Sequence, residues 1–579
     1  MAEDIEKIKQ KRQEWEEKVL KPTLKTLGLK EPPTKFYTPA DAQGFDFLTK
    51  VGFPGQYPFT SDIYATEPPE IPRMPGVPES QSALVRASGY SGYGTAEDTR
   101  DYYKELQKRG GRRGPNIAFS LSTQCGYDSD NPLVRGDVGK TGVAVDTLRD
   151  FEIIYEAFQG DLDLDRIASN FTINAPANII VAFYLALAEK RGIPWNKLKS
   201  TPQNDTLKEF IARGTYIFPP KPSMRMWRDS ATFLTKQCPN IYLISAGGDH
   251  IRGAGGTRVQ TVAFTMAILI AHMQAGINAG VDVDTLSPRF TIVGLGGGMQ
   301  FFPEVAMWRA ARRMWAKIMR ERFGAKNPRS MLLRSSGGGA RSGQDNCTIQ
   351  RPLNNIARGV IGGVANAISG GNGGGGTPYD EPLGLGWSLE ATQLSTDAHR
   401  IIVHEARLCD VIDPLAGSYY VESLTDEIEN AAWKEVEKID GMGGAVAAVE
   451  NGYMYREIAR SAHEYQKRVE TGEELIVGVN CFLGEDELEV GTTRLVPHPY
   501  DPLKRERAEE RQIKALTELK RSRDNRKVTQ LLRELKEKAK KEDENLIPHF
   551  VECAKAYVSV QEMCDVLREV FGEYQPVSL

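Results

Sequence analysis

Short apolar runs that alternate with longer amphipathic segments are the feature that most constrains the fold of this 579-residue chain. The alternation begins near residue 115, and each run is followed by Gly, Asn, Ser or Thr and then by a helical pattern. Repeated strand–helix units of this size predict a parallel sheet. The predicted strands cover residues 117–121, 167–173, the stretch into Thr201, 241–245, 290–295, 330–333 and 364–368, and helices are predicted at 177–189 and 305–320.

Seven such units in succession favour a closed (β/α)8 barrel over an open doubly wound sheet. We therefore predict an α/β protein with a (β/α)8 TIM barrel over residues 83–420. A helical and extended N-terminal arm is predicted over 1–82, and a helical C-terminal region over 421–579. The first helix, over 3–27, is charged with a narrow apolar stripe, and it packs either on a neighbouring subunit or on its own domain.

Composition excludes several classes of protein. A net charge of −4 gives no electrostatic signature for nucleic acid. The seven cysteines contain no CxxC pair, and the histidines are isolated, so neither a disulfide framework nor a metal site is predicted. The N-terminus lacks an apolar signal core, and the longest apolar run, residues 262–275, is too short to cross a membrane. We expect a cytoplasmic protein with no membrane contact.

Polar side chains crowd together after the predicted strand that ends near Thr201. Gln203, Asn204 and Asp205 are consecutive, and Arg213 follows about two helical turns later. Burying such groups at a strand-to-helix junction is costly unless they bind something. A solvated loop with a capping aspartate is the alternative, and the local pattern leaves both interpretations open.

Other loops after predicted strands also carry candidate residues. His250 follows two glycines and could donate a hydrogen bond to a carbonyl or act in acid–base chemistry, although lone histidines are often structural. The glycine-rich loops 335–341 and 370–377 either line a wide site or have no chemical role. The acidic loop 124–131 favours a structured loop over a calcium site, because its spacing is not that of an EF-hand.

Several motifs match one known family in order along the chain. From about Phe53 to Tyr574, the sequence resembles the substrate-binding large subunit of adenosylcobalamin-dependent acyl-CoA mutases of the methylmalonyl-CoA mutase family. The motifs that carry the resemblance are Tyr57-Pro-Phe-Thr, Gly126-Tyr-Asp-Ser-Asp-Asn-Pro, Gly136-Asp-Val-Gly, Gln203-Asn-Asp, Leu207-Lys-Glu-Phe, Thr215-Tyr-Ile, Pro222-Ser-Met-Arg, Arg309-Ala-Ala-Arg, Trp315-Ala-Lys and Asp413-Pro-Leu-Ala-Gly-Ser-Tyr-Tyr.

The resemblance implies a cofactor and a partner. In the family, acyl-CoA threads the barrel axis, and the barrel closes on a cobalamin-binding domain whose Asp-x-His-x-x-Gly motif supplies the cobalt ligand. The nearest string here, Asp397 to Ile402, lacks the glycine. The resemblance therefore implies no cobalamin-binding domain in this chain. It implies adenosylcobalamin held mainly by a small cobalamin-binding subunit, in a heterotetramer of two large and two small subunits.

The resemblance also assigns residues to roles. Tyr90 corresponds to the tyrosine between substrate and corrin, His250 to the histidine on the thioester carbonyl, and Gln203 to a glutamine beside it. These three are the implied catalytic residues. The implied substrate-binding residues are Arg213, Tyr64, Thr66, Arg86 and Asp249, and the implied cofactor-binding residues are Glu381, Phe119 and Thr141.

The resemblance narrows the substrate. Arg213 corresponds to the arginine that pairs with the free carboxylate in methylmalonyl-type enzymes, a position that is glutamine in isobutyryl-type and 2-hydroxyisobutyryl-type enzymes. Ala118 replaces an aspartate typical of the latter type. With the extra glycines, this predicts migration of the CoA-thioester group between substituted malonyl-CoA and substituted succinyl-CoA, with a bulky aryl or alkyl substituent. A mutase for a monocarboxylic branched acyl-CoA such as isobutyryl-CoA is one alternative. A non-catalytic scaffold is another, because Asp249 and Gly253 stand where the family has tyrosine and glutamate.

Overall fold

A computed structural model describes most of the chain. The described residues are 5–32, 37–42, 44–66, 90–92, 94–108, 114–335, 346–370, 377–383, 389–484 and 502–576. Arg86 and most residues of the two glycine-rich loops therefore lie outside the described residues.

Six short parallel strands follow one another in chain order. They are β1 Tyr90–Ser91, β2 Asn116–Ala118, β3 Ala168–Thr172, β4 Lys199–Pro202, β5 Ile244–Gly247 and β6 Phe290–Gly294. The first four form one sheet in the order β1-β2-β3-β4, and β5 pairs with β6.

Backbone hydrogen bonds link these two groups of strands. Tyr242 N donates to Ser200 O at 2.8 Å, and Ser245 N donates to Gln203 O at 2.8 Å, so the start of β5 runs beside β4. After β6, Ile292 N donates to Arg334 O at 2.8 Å. The described strands thus form a parallel α/β arrangement, while closure into an eight-stranded barrel is not shown.

Helices cover the strands and extend beyond them. Those before and between the strands are α1 Ile5–Trp15, α2 Lys21–Leu27, α3 Phe47–Lys50, α4 Ala96–Lys108, α5 Leu121–Gln124, α6 Leu148–Ile154, α7 Ala177–Lys190, α8 Pro220–Gln237, α9 Gly248–Gly253, α10 Arg258–Asn278 and α11 Val283–Leu286. Those after β6 are α12 Phe301–Lys317, α13 Asn354–Ile368, α14 Leu389–Arg400, α15 Tyr419–Gly441, α16 Ala445–Glu450, α17 Tyr453–Glu470, α18 Pro502–Ser522, α19 Asn525–Ala539, α20 Ile547–Lys555 and α21 Val560–Phe571.

Two predicted strands are wrong. Residues 364–368 form the end of α13, where small residues such as Gly359, Gly363 and Ala365 are buried while Ile361 is exposed. The apolar run therefore belongs to a helix whose small face packs inward. Residues 330–333 begin in a 3-10 turn, Pro328–Met331, that Asn327 caps through its side chain.

The core lies between the sheet and its covering helices. Helix α7 is buried along almost its whole length, which agrees with its uniformly apolar sequence. Helix α10 is long and apolar enough to cross a membrane, but 78% of its apolar window is buried inside the protein, as in a core helix. A capping box of Thr257 and Gln260 starts α10.

The C-terminal helices pack back onto the sheet region. Arg225 on α8 donates to Ala539 O at 2.5 Å, and Tyr574 N donates to Ile217 O at 3.0 Å. Lys520 on α18 lies 2.8 Å from the buried Asp128 carboxylate. The acidic loop 124–131 is therefore a structured loop that receives the C-terminal helices.

The N-terminal helices make few contacts. Neither α1 nor α2, nor the π-helical turn Glu16–Leu20 between them, has a buried residue. Arg12 donates to both carboxylate oxygens of Asp41 at 2.8 and 2.9 Å, and Asp41 O in turn accepts from Ser423 Oγ at 2.8 Å. This polar link joins the first helix to the segment before α3 and to the start of α15.

Candidate functional site

The polar stretch after β4 joins the carboxyl ends of three strands. Gln203 N donates to Phe171 O at 2.8 Å, and Asn204 N donates to Ile173 O at 2.9 Å. Asn204 adopts a positive φ of 48°, which turns the chain sharply before Asp205. The Asp205 carboxylate accepts from Gly247 N at 2.9 Å, so it fixes the end of β5 against this stretch. The stretch is buried and ordered, which excludes the solvated-loop interpretation.

A buried network of side chains lies directly behind Gln203. Gln203 Oε1 accepts from Asn174 Nδ2 and from Lys208 Nζ, each at 2.9 Å. Glu209 Oε1 accepts from the same two donors at 2.6 Å, and Glu209 Oε2 accepts from the hydroxyl of Thr215. The Lys208 and Glu209 side chains are completely buried. We call these five residues the Gln203 network.

Burial shifts the pKa values of the charged groups in and around this network. It raises the pKa of Asp205 to about 6, even though the Lys208 ammonium and the Gly247 amide favour the ionised carboxylate. Burial also lowers the pKa of Lys208. The Glu209 carboxylate opposes that shift, and the Arg213 guanidinium adds to it. Two cations and two carboxylates thus interact within one low-dielectric region.

Arg213 differs from the other charged groups in this region. It ends the π-helical turn Glu209–Arg213, and Gly214 terminates the turn at a positive φ of 81°. Its Nη1 is buried, yet the described residues offer Arg213 neither a hydrogen bond nor an ion pair. Because buried polar groups are almost always paired, this guanidinium is a candidate for binding an anionic ligand.

His250 and Asp249 lie next to this region. Both belong to the first turn of α9, which begins immediately after β5. His250 Nδ1 is 3.6 Å from Asp249 Oδ1, and the two side chains are only 16% and 9% exposed. A Cβ at position 247 would overlap the His250 imidazole and would come within 3.2 Å of Lys208 Cδ, so Gly247 lets these two side chains approach.

Some predicted site residues are placed elsewhere. Phe119 is completely buried, with its ring centroid 6.3 Å from Phe151 and 6.1 Å from Phe171. It therefore belongs to the core and has no side-chain surface for a cofactor. Thr141 is exposed, on the loop in which Gly139 O accepts from Gly94 N at 2.8 Å.

The remaining predicted residues are spread over three segments. Tyr90 is paired in β1 with Asn116 through its backbone. Tyr64 and Thr66 are exposed, on the segment after Asp62, whose carboxylate accepts from Tyr64 N at 3.0 Å. Glu381 begins a 3-10 turn that ends at Leu383 and is half-buried.

The string from Asp397 to Ile402 is helical. Its first four residues end α14, where Asp397 accepts from Arg400 at 2.7 Å and from Gln393 at 2.8 Å. The carboxylate is thus paired with its own helix. Among the described residues, no cluster of three or more His, Cys, Asp or Glu side chains is arranged to hold a metal ion.

Three residues of the Gln203 network have no role in the sequence-based prediction, namely Asn174, Lys208 and Thr215. One local signal was present, because the charged pair Lys208-Glu209 lies between Leu207 and Phe210 in an otherwise apolar turn. Charged residues at such positions are buried only when they are paired. Asn174 gives no comparable signal, since its contacts are 29 and 35 residues distant in sequence.

Comparisons with known proteins identify the family to which this chain is similar. Residues 30–573 match the methylmalonyl-CoA mutase family. The chain is 36% identical to the 2-hydroxyisobutanoyl-CoA mutase large subunit of Aquincola tertiaricarbonis, over 94% of this chain and 91% of that one. It is 37% identical to the methylmalonyl-CoA mutase of Rhizobium meliloti (strain 1021) and 35% identical to the mitochondrial enzyme of Homo sapiens, over 84% of this chain in both cases. It spans 66% and 62% of those two longer proteins.

Proposed function

The chain belongs to the methylmalonyl-CoA mutase family, whose members are B12-dependent isomerases, and from this premise we propose a specific reaction. The chain is the substrate-binding subunit of an acyl-CoA mutase that interconverts a substituted malonyl-CoA and a substituted succinyl-CoA. The substituent is bulkier than methyl. We also propose that the six described strands are part of a closed eight-stranded barrel, with the site at the carboxyl ends of the strands.

The unpaired guanidinium of Arg213 is the observation that carries this proposal. Malonyl-type and succinyl-type thioesters have a free carboxylate, which an arginine binds through two parallel hydrogen bonds. Arg213 has a buried Nη1 without a partner among the described residues, beside a network that holds Gln203 in place. A monocarboxylic acyl group would offer this guanidinium no counter-charge and would forgo the charge-assisted pair that a free carboxylate makes.

The residues of this chain bind and orient the acyl group. His250 and Gln203 donate hydrogen bonds to the thioester carbonyl, and Arg213 holds the free carboxylate. One well-placed donor at a carbonyl whose charge increases in the transition state contributes about 3 kcal/mol. Tyr90 shields the reacting carbons from water. Adenosylcobalamin, when bound, supplies the radical chemistry that moves the thioester group.

The hydrogen-bond donors of this chain suit the binding of the acyl group, and we propose that a partner subunit supplies the cobalt ligand. The carboxylate of Asp397 is paired within α14, so the string that contains His399 does not form a cobalt-ligating loop. Glu381 and Thr141 are the residues that would face the adenosyl group. We propose a small cobalamin-binding subunit, two copies of each subunit in the complex, and a cytoplasmic location. The Aquincola relative is named a large subunit, which supports a split enzyme.

We place the small subunit on the N-terminal helices. No residue of α1, α2 or the turn between them is buried, and Trp15 and Val19 are 37% and 51% exposed. Exposed apolar side chains on helices that bury none of their residues are typical of an interface. Trp15→Asp with Val19→Asp should abolish co-elution with the small subunit, while Lys18→Asp should not. Continued co-elution of the apolar variant would contradict this placement, and loss of large-subunit pairing instead would assign the stripe to a second copy of this chain.

The experiment that tests the function is turnover by the reconstituted enzyme. The chain, its small subunit and adenosylcobalamin are assayed with methylmalonyl-CoA, butylmalonyl-CoA, benzylmalonyl-CoA, isobutyryl-CoA and 2-hydroxyisobutyryl-CoA. We expect turnover of the malonyl-type thioesters and faster turnover of the larger ones. Turnover of methylmalonyl-CoA alone would contradict the bulky substituent.

Two other outcomes correspond to other functions. The similarity to a 2-hydroxyisobutanoyl-CoA mutase large subunit favours a monocarboxylic substrate as the second candidate, and exclusive turnover of isobutyryl-CoA or 2-hydroxyisobutyryl-CoA would establish it. Buried Ala118 at the end of β2 argues against the hydroxy acid, because it offers no polar group. Without turnover, and without a cobalt(II)–radical signal in electron paramagnetic resonance, the chain would be a non-catalytic scaffold.

A further inference from the structure

We propose that Lys208 is a positioning residue that fixes the orientation of the Gln203 carboxamide, so that its Nε2 rather than its Oε1 faces the substrate. The inference rests on the proposed function for the identity of the substrate, but its geometric part concerns only this chain. Nothing in the sequence motifs distinguishes the two faces of the amide.

The orientation follows from the donors behind Gln203. Lys208 Nζ and Asn174 Nδ2 both lie 2.9 Å from Gln203 Oε1. An ammonium group has only donors, so it can pair with the amide oxygen and not with the amide NH2. Turning the amide over would bring two N–H groups against Lys208 and Asn174 and would leave buried donors unpaired. Lys208 therefore selects one of the two orientations.

The other face of the amide is available for a ligand. Gln203 Nε2 has no hydrogen-bond partner in the described part of the chain, whereas Oε1 has two. A carboxamide held in this way presents a donor to a thioester carbonyl. With the opposite orientation it would present an acceptor, which would repel the carbonyl oxygen.

Lys208 itself cannot touch the substrate. Its side chain is completely buried, and its ammonium is held by Glu209 at 2.6 Å as well as by Gln203. Its stem also lies under Gly247, where a Cβ would come within 3.2 Å of Lys208 Cδ and would overlap His250. One buried lysine thus contacts one predicted catalytic residue and lies beside the other.

A double-mutant cycle tests whether Lys208 acts through Gln203. Lys208→Met, Gln203→Ala and the double variant are assayed as holoenzyme with benzylmalonyl-CoA, or with whichever thioester of the panel the wild type converts fastest. We expect each single variant to lower kcat by about 10- to 100-fold with a smaller change in KM, because the lost donor acts on the transition state. The double variant should lie within about twofold of Gln203→Ala, since coupled residues are not additive. The proposal would be overturned if the loss of kcat in the double variant equalled the product of the losses in the two single variants.

Two controls separate positioning from folding. Ser230→Ala removes another buried side-chain hydrogen bond, to Asn178, outside the Gln203 network, and should lower Tm without changing kcat. Gln203→Glu keeps an oxygen for Lys208 and Asn174 but replaces the Nε2 donor. We expect it to fold and to lose as much kcat as Gln203→Ala. If Gln203→Glu retained more than half of the wild-type kcat, the proposal would be overturned, even if Lys208→Met does not fold.

The orientation can also be measured without turnover. In a crystal structure of Lys208→Met, the Gln203 carboxamide should turn over or lose its single conformation. An unchanged carboxamide would overturn the proposal whatever the enzyme does. A wild type that converts no thioester while the carboxamide responds to Lys208→Met would count against the proposed function alone.

Discussion

The arginines of α12 and the arginine after β4 differ in how they are paired. On α12, Arg309, Arg312 and Arg313 are buried, and each makes at least two hydrogen bonds. At the carboxyl end of β4, Arg213 has a buried Nη1 and makes none with the described residues. On α12, the guanidinium groups join segments of the chain. After β4, the guanidinium of Arg213 is open to a ligand.

The arginines of α12 connect distant parts of the chain. Arg309 forms two buried ion pairs, with Asp413 and Glu422, and so joins two segments that are about a hundred residues apart in sequence. Arg312 donates to the carbonyls of Phe59, Thr60 and Ser61 and holds the N-terminal arm against the helix. A motif arginine that joins segments and one that is open to a ligand thus look alike in a sequence, and the partners that the structure gives them separate the two.

The largest effect of a single change is expected in the paired region. Arg309→Met leaves the buried carboxylates of Asp413 and Glu422 without their cation, and breaking a buried pair from one side costs about 3–5 kcal/mol. We expect a fall in Tm of about 3 °C by calorimetry, with an unchanged KM for the folded fraction. A Tm within about half a degree of wild type, which is about what half a kcal/mol produces in a chain of this size, would show that pairing on α12 is not structural.

A smaller, pH-dependent effect is expected at Asp205. Its folded pKa of about 6 lies above its ordinary value of 3.8, so ionisation is less favourable in the folded state. The carboxyl group contributes full stability below pH 4, and that contribution is lost as the pH rises to 6. The loss amounts to about 3 kcal/mol.

Asp205→Asn isolates this contribution, because asparagine can still accept from Gly247 N and does not ionise. The free energy of unfolding of the variant, relative to that of the wild type, should increase between pH 4 and pH 6. Above pH 7 this difference should be constant. Denaturant titrations at each pH measure the difference. A difference that does not change with pH would show that Asp205 is not shifted.

The smallest effect on folding is expected at Arg213. Arg213→Gln removes no hydrogen bond or ion pair to the described residues, so the free energy of unfolding should change by less than about 0.5 kcal/mol. The matched change on α12 is Arg313→Gln, which breaks ion pairs with Asp426 and Glu429 and should destabilise the protein strongly. Equal destabilisation by both changes would remove the contrast between the two regions.

The parallel α/β pattern could be predicted because buried strands and helices differ in length and flanking residues. Strands β3, β5 and β6 overlap the predicted runs 167–173, 241–245 and 290–295, and α7 agrees with the predicted helix within one residue. The error at 364–368 has a physical cause. Glycine and alanine form the buried face of α13, so its apolar side chains do not mark the inward side.

The candidate site was only partly predictable. Gln203, Arg213 and His250 could be predicted as candidates because they follow strands in a recognisable motif, and the structure places Gln203 against Lys208 and places His250 and Lys208 next to Gly247. The roles of Asn174 and Lys208 could not be found in the same way. Whether a buried lysine pairs with an amide oxygen depends on contacts between segments, and one sequence does not contain them.

The most direct test of the central claim is the substrate preference of Arg213→Gln. The holoenzyme is assayed with a malonyl-type thioester and with isobutyryl-CoA, and the ratio of the two kcat/KM values is compared with that of the wild type. If Arg213 binds the free carboxylate, the substitution should lower kcat/KM for the dicarboxylic thioester, and the loss should correspond to about 2–5 kcal/mol of activation free energy. The kcat/KM for isobutyryl-CoA should stay the same or rise. An unchanged ratio would show that Arg213 does not bind the substrate carboxylate.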